Sequence, residues 1–297
     1  MVVLGALCFR HSSFARHYRA TAPLCLNRLL VEESECRIMR PENKLVADLA
    51  ATDARTIHVR EVLRAENGQA VRAGVIDMGR SDAATVRWVG AGGKDPALRL
   101  ELGAADELLC TTPELERPRV DLLLAMPRPL QFGRLLPMIS SLGVGTLWVT
   151  EATKTEKMFF SSHLLRKGNE AELRAALVQG VAQAGDTAVP RVIVQRNMRR
   201  LVAEELGGYA QKLVCHPARE AGTPTISSIL RGLDGKGRVL LAVGPEGGWE
   251  EPRELELLQD SGFRQVTLGR RTLRTDVAVV SLLAVTHESL TLEKVAS

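Results

Sequence analysis

Leu240-Leu241-Ala242-Val243-Gly244-Pro245-Glu246-Gly247-Gly248 is an apolar run that breaks into a turn with three glycines in five residues. Glycine permits unusual backbone angles and close approach of a ligand, and Pro245 stiffens the turn. Glu250 and Glu251 follow, where carboxylates favour the amino end of a helix. The segment is neither a P-loop nor a G-x-G-x-x-G fingerprint. By pattern alone it reads equally well as a ligand loop or as a tight strand-to-helix connection.

The same texture extends through the second half of the chain. Apolar runs at 120–126, 146–150, 191–194, 212–215, 239–243 and 265–268 alternate with helix-length segments near 130–142, 161–184, 198–206, 225–233, 250–261 and 276–290. Six strand-then-helix alternations predict an α/β fold with a parallel sheet covered on both faces. Ligands of such sheets sit outside the carboxyl ends of the strands. Residues 28–110 read differently. A strand at 28–31 and a capped helix at 53–64 precede short alternating strands at 70–77, 84–89 and 98–102, which suggests a small β-barrel-like module. The turn cluster 90–93 and a Pro- and charge-bearing linker at 111–119 complete the division, with the α/β domain at 120–297.

A second unusual strand end is Leu268-Gly269-Arg270-Arg271-Thr272-Leu273-Arg274-Thr275-Asp276-Val277-Ala278. Thr275 or Asp276 can cap the last helix, and the arginines can equally belong to a solvated loop.

Charge narrows the function. The 297 residues hold 39 Lys+Arg against 35 Asp+Glu, a formal net charge of +4. Arg10, Arg16, Arg19 and Arg28 precede the first acid, Glu32, so the rest of the chain is formally neutral. A body that grips nucleic acid over its whole surface is excluded; a local basic face is not. The acid-free segment 1–27 resembles an organelle transit peptide, which predicts a chloroplast or mitochondrial location, or a cytoplasmic one if the segment is a plain tail. Aromatic content of 4% argues against a surface built on base stacking. Cys8, Cys25, Cys36, Cys110 and Cys215 form no C-x-x-C pair, so no metal site or disulfide framework is expected. The apolar run at 277–285 is far shorter than the ~20 residues of a membrane span.

Taken together, the two loops resemble the C-terminal signature of the RsmE-type 16S ribosomal RNA (uracil-N3) methyltransferases of the SPOUT superfamily. That signature pairs G-P-E-G-G with L-G-x-R-I-L-R-x-E-T-A about twenty residues later. The first loop matches at all five positions, Gly244 to Gly248, and the second at Leu268, Gly269, Arg271, Leu273, Arg274 and Ala278. Weaker likeness runs over about residues 28–290. Residues 56–68 resemble H-x-x-x-V-L-R-x-x-x-G, 141–144 resemble E-L-G-V, and 183–190 resemble Q-S-x-R-x-x-x-P. Thr272, Asp276, Val277, Asp186 and Ser141 depart from the family residues.

The resemblance implies a PUA-like RNA-binding barrel, a trefoil-knotted C-terminal domain that binds S-adenosylmethionine (SAM), and a homodimer acting on small-subunit rRNA. It implies cofactor contacts from Leu241, Val243, Gly244, Pro245, Glu246, Gly247 and Gly248, and from Leu268, Gly269, Leu273 and Thr275. The reaction implied is methyl transfer to N3 of a uridine. Arg274 would stabilise the developing imide oxyanion, and Asp276 would orient Arg274 or receive the proton. Arg60, Arg64, Arg191, Arg270 and Arg271 are the expected RNA contacts, with Arg55, Arg72, Arg196, Arg199 and Arg200 beside them in sequence. His216, before Pro217, is a candidate wall residue. The competing expectation is a non-catalytic rRNA-binding assembly factor that keeps the fold.

Overall fold

The structure is a computed structural model, and it describes residues 27–90, 96–110, 117–217, 222–231, 233 and 237–296. The leader, most of the 90–93 turn cluster and most of the 111–119 linker lie outside the described residues. Two six-stranded sheets carry the fold.

The first sheet holds β1 (Leu29–Val31), β2 (Cys36–Met39), β3 (Lys44–Leu49), β4 (Ala70–Val75), β5 (Arg80–Val89) and β6 (Ala97–Ala104) in the order β1-β4-β5-β6-β3-β2. Its ladders are antiparallel apart from β1 on β4. Leu45, Ala47, Val71, Val86, Leu98 and Leu100 fill its core with Val59 of the helical segment. The pair β2–β3 is absent from the sequence expectation. Its signal is the turn-forming Pro41-Glu42-Asn43, with Asn43 at φ 52°. The expected helix at 53–64 is instead one turn, α1 (Ala54–Ile57), capped by Asp53, which runs into a wider π turn over His58–Val62. Arg64 at φ 50° then reverses the chain.

The second sheet is wholly parallel. Its strands are β7 (Val120–Ala125), β8 (Val144–Thr150), β9 (Arg191–Val194), β10 (Gln211–Cys215), β11 (Val239–Val243) and β12 (Phe263–Val266), in the order β12-β10-β11-β7-β8-β9. β11 is thus inserted between two strands already laid down, β7 and β10. Side chains alternate between two buried layers. Leu122, Leu124, Leu241 and Val243 enter one, with Leu135 and Ile139 of α3 (Pro129–Ser141), Leu177 of α4 (Glu170–Ala184) and Leu282 of α8 (Thr275–Ala296). Leu123, Ala125, Leu240 and Ala242 enter the other, with Leu201 of α5 (Met198–Glu204) and Leu258 of α7 (Arg253–Asp260). Burial on both faces is why these strands read as unbroken apolar runs. The last strand ends two residues earlier than expected, so Thr267 and Leu268 belong to the following loop.

One segment joins the sheets. The guanidinium of Arg28, 1% exposed, donates to the carbonyls of Gly185, Ala73 and Ser81 and to Asp82. The Thr187 hydroxyl donates to Met78 O at 2.7 Å, and Asp77 N donates to Thr187 O at 2.9 Å. Asp186, one of the departures from the resembled signature, accepts from the Thr187 amide and lies 3.8 Å from Arg80, within this junction.

Candidate active site

The carboxyl ends of β10, β11 and β12 open onto one cavity. Cys215, His216 and Pro217 line it from β10. Val243 to Glu246, Gly248 and Trp249 line it from β11. Val266 to Gly269, Arg271 to Leu273 and Thr275 line it after β12, with Ala278 and Leu282 on α8. Three chain segments far apart in sequence therefore share a wall, as open parallel sheets dictate.

The loop after β11 is a built turn. Gly248 N donates to Pro245 O at 2.8 Å, and Gly248 sits at φ 69°, a conformation that favours glycine. A Cβ on Gly244 would come within 3.0 Å of the Trp249 amide nitrogen. Lys154 Nζ holds the outer side, donating to Gly247 O and Trp249 O at 3.0 and 3.2 Å. Buried Glu254 accepts from the amides of Thr153 and Glu250, which fixes the loop against the end of β8. Glu246 accepts from the Arg128 amide at the start of α3.

The walls are mostly apolar. His216 stands out, with its side chain 9% exposed and Nε2 2.5 Å from Glu251 Oε1. Its Nδ1 is buried and has no hydrogen-bond partner among the described residues. Desolvation pushes the Cys215 thiol up, which leaves it an inert part of the wall.

Beyond the rim, Arg274 is 76% exposed and its Nη2 lies 3.3 Å from Asp276 Oδ2. Arg274 O accepts from Ala278 N and Asp276 Oδ1 from Val277 N, so both residues open α8. Desolvation raises the Asp276 carboxyl, but the Val277 amide, Gln131 and Arg274 outweigh it and hold it below the usual carboxylate range.

Most expected cofactor contacts meet here, and two do not. Leu241 points into the layer under α3 and α8, because β11 alternates and only Val243 reaches the strand end. Gly247 turns outward, where a Cβ would meet Lys154 rather than the cavity. Of the expected RNA contacts, Arg271 lines the cavity and Arg270 is exposed beside it. Arg191 opens β9, opposite Thr146 in β8, and so lies at the amino ends of the strands, away from the cavity. Arg60 and Arg64 sit in the first sheet unit, with Arg60 3.2 Å from Glu61. Several neighbouring arginines are engaged in structure: Arg55 with Glu35 and Asp53, Arg196 with Glu151, Arg200 with Glu204, and Arg72 with Asp82. By sequence His216 is a candidate wall residue only, and its partner Glu251 gives no signal beyond helix-start acidity.

Among the described residues no cluster of His, Cys, Asp and Glu could hold a metal ion, and no helix is long and apolar enough to cross a membrane.

Comparison with known proteins fits this geometry. Residues 114–287 match the family model of an RNA methyltransferase domain. The chain is 28% identical over 247 residues to the ribosomal RNA small subunit methyltransferase E of Treponema pallidum, covering 80% of this chain and 84% of that protein. It is 26% identical over 252 residues to the protein of the same name from Synechocystis, covering 83% and 75%. In fold it resembles the ribosomal RNA small subunit methyltransferase E of Neisseria gonorrhoeae, solved bound to S-adenosyl methionine. The TM-score is 0.61 at 19% identity, over 88% of this chain and 97% of that one. The family model spans well over half of the sequence and both of its signature loops, and this chain belongs to the RNA methyltransferase domain family, with the RsmE-type enzymes of small-subunit ribosomal RNA as its relatives.

Proposed function

We propose that this protein methylates N3 of a uridine in small-subunit ribosomal RNA with SAM as donor. The observation that carries this reading is the convergence of loops 215–217, 243–249 and 266–275 on one apolar-walled cavity with Arg271 at its edge. A glycine turn that excludes a Cβ at Gly244, and the mostly apolar walls, fit a flat heterocycle. Bound SAM would supply a methyl group on a positively charged sulfur.

The chain's own part is binding and charge. Val243 to Glu246, Gly248, Leu268 and Gly269 would line the cofactor site. The imide N3–H of uridine is weakly acidic, and the nitrogen attacks the methyl carbon only as that proton passes to solvent water. The Arg274 guanidinium stabilises the charge that then develops on the imide oxygens. Asp276 orients Arg274; a carboxylate held below its usual range is a weak base, so the orienting role suits it better than proton removal.

The finer architecture belongs to the same proposal. The first sheet serves as a PUA-like RNA-binding barrel, and the insertion of β11 beside β7, followed by α8 over its end, is compatible with a trefoil-knotted path. Leu130 and Met138 on α3, Leu273 before α8 and Val277 in its first turn are exposed apolar side chains that a homodimer closing beside the cavity would cover. Segment 1–27 would direct the protein to a chloroplast or mitochondrion. Mass spectrometry of organellar small-subunit rRNA with and without this protein tests the function. Loss of one N3-methyluridine is expected, and an unchanged nucleoside profile overturns the reading.

A further inference from the structure

Arg196, Arg200 and Arg238 are held by Glu151, Glu204 and Asp121, each pair at 2.7 Å. Arg199, Arg253 and Lys157 are exposed and have no carboxylate partner among the described residues. Three separate segments supply them. Lys157 comes from the loop after β8, Arg199 from the first turn of α5 after β9, and Arg253 from the start of α7 after β11. All three line one cavity of about 500 Å³ at the carboxyl ends of β8 and β9.

The other charged groups of this cavity are already engaged. Arg196 pairs with Glu151, and its guanidinium stands 4.7 Å from the centre of the Phe160 ring. Glu254, 7% exposed, accepts from the amide and hydroxyl of Thr153 and from the Glu250 amide. Both carboxylates are therefore occupied, while Lys157, Arg199 and Arg253 remain uncompensated. Met198 and Leu257 give the cavity apolar surface from the layer under α5 and α7. Like charges around a low-dielectric cleft focus a positive potential, and an anion relieves their repulsion.

The position of the cavity says which anion. It opens at the same end of the sheet as the cavity of β10, β11 and β12, with one wall between them. That wall is the loop after β8, where Lys154 holds Gly247 and Trp249 and Thr153 holds Glu254. A nucleic-acid strand with one base in the first cavity has its neighbouring phosphates within this end of the molecule. Among the described residues no aromatic side chain lines the second cavity, so it offers charge to phosphates and no platform for a base.

We propose that Lys157, Arg199 and Arg253 form a phosphate site that holds the rRNA backbone beside the target uridine without reading its sequence. This rests on the rRNA reading above. It also divides the arginines that are neighbours in sequence: Arg199 serves this site, while Arg196 and Arg200 are held by glutamates.

Binding of the full chain to unmodified small-subunit rRNA, transcribed in vitro and titrated between 50 and 200 mM salt, tests this. Each lost phosphate contact should flatten the plot of log K against log salt by about 0.7. The triple variant K157Q/R199Q/R253Q should thus be shallower by about 2, which narrows the loss of affinity over this range by about fifteenfold. R199Q and R253Q alone should each flatten it by about 0.7, so the test survives a triple variant that fails to fold. R199K, which keeps the charge, and R200Q, whose arginine is paired elsewhere, should keep the wild-type slope. S-adenosylhomocysteine affinity should be unchanged in all of them. Wild-type rRNA binding with an unchanged slope in R199Q, R253Q and the triple variant overturns the proposal alone. Equal flattening in R200Q assigns the effect to surface charge in general and also overturns it. Absence of wild-type rRNA binding overturns the rRNA reading and the proposal with it.

Discussion

Arg238 Nη2 lies 2.7 Å from Oδ1 and 2.9 Å from Oδ2 of Asp121, a carboxylate 2% exposed in the middle sheet strand β7. The same carboxylate accepts from the Tyr209 hydroxyl at 2.7 Å and from the Thr146 amide at 2.6 Å. Four polar groups from β7, β8, the start of β10 and the approach to β11 thus meet at the amino ends of the strands. The Tyr209 phenol is pushed up by desolvation first and by the charge of Asp121 second. A Cβ on Gly145 would sit 2.8 Å from both Asp121 Oδ1 and Arg238 Nη2, which is why glycine stands there. The network occupies the end of the sheet opposite the cavity, so it holds the fold and takes no part in the chemistry.

Asp121→Ala removes the acceptor of all these groups at once. Breaking a buried pair by taking one partner away costs about 3–5 kcal/mol. Chemical denaturation should show a loss of that order, and Asp121→Asn, which keeps two of the bonds, should lose less. A midpoint unchanged in both variants would mean the network is neutral to folding.

Gly180 on α4 is where two helices touch. A Cβ there would overlap Pro137 O and Ser140 Oγ of α3. Ala is the better helix former by about 1 kcal/mol, but overpacking of this kind costs about 1–3 kcal/mol or more. Gly180→Ala should therefore lower the denaturation midpoint. A stabilised variant would show that the helices part freely.

His287 on α8 sets a pH dependence. Burial holds its imidazole below the ordinary 6.5, against a smaller upward pull from Gly143. Above that value the ring is neutral in both folded and unfolded chains. Below it the unfolded chain takes up a proton that the folded chain resists, so stability falls as pH drops from about 7 toward 5. His287→Phe should flatten this limb of the stability curve. Equal slopes in wild type and variant would assign the acid sensitivity to other groups.

Arg274 and Asp276 separate binding from turnover. Arg274 is exposed beyond the cavity walls, so Arg274→Ala should leave S-adenosylhomocysteine affinity nearly unchanged while methyl transfer falls by about a hundredfold or more, as for loss of an oxyanion donor. Asp276→Asn can keep the bond to the Val277 amide and removes the charge that holds Arg274. A smaller loss is expected. Turnover near normal in the Arg274 variant, measured with tritiated cofactor on rRNA, would remove that residue from the mechanism.

The amino-acid sequence determined the class of each half, because local physics is written in it. Strands buried on both faces must be apolar at every position, so β7 and β11 were legible as runs; a turn that needs positive φ and close backbone approach must use glycine, so the loop at 244–248 was legible as a site. It did not reveal β2, exposed or half-buried at every position, nor β3, buried at three successive residues, since neither alternates, nor the π turn that cuts the helix at 54–57 short. Only the tertiary structure decided which loop residues face inward. Leu241 and Gly247 are both expected cofactor contacts yet turn away from the cavity, because strand alternation and the contact with Lys154 set their directions. It also brought His216 to Glu251 across 35 residues, a pairing that arises because β10 and β11 are neighbours in the parallel sheet. Linear spacing encodes backbone geometry; which charges and lone pairs meet is set by the order in which the strands lie side by side.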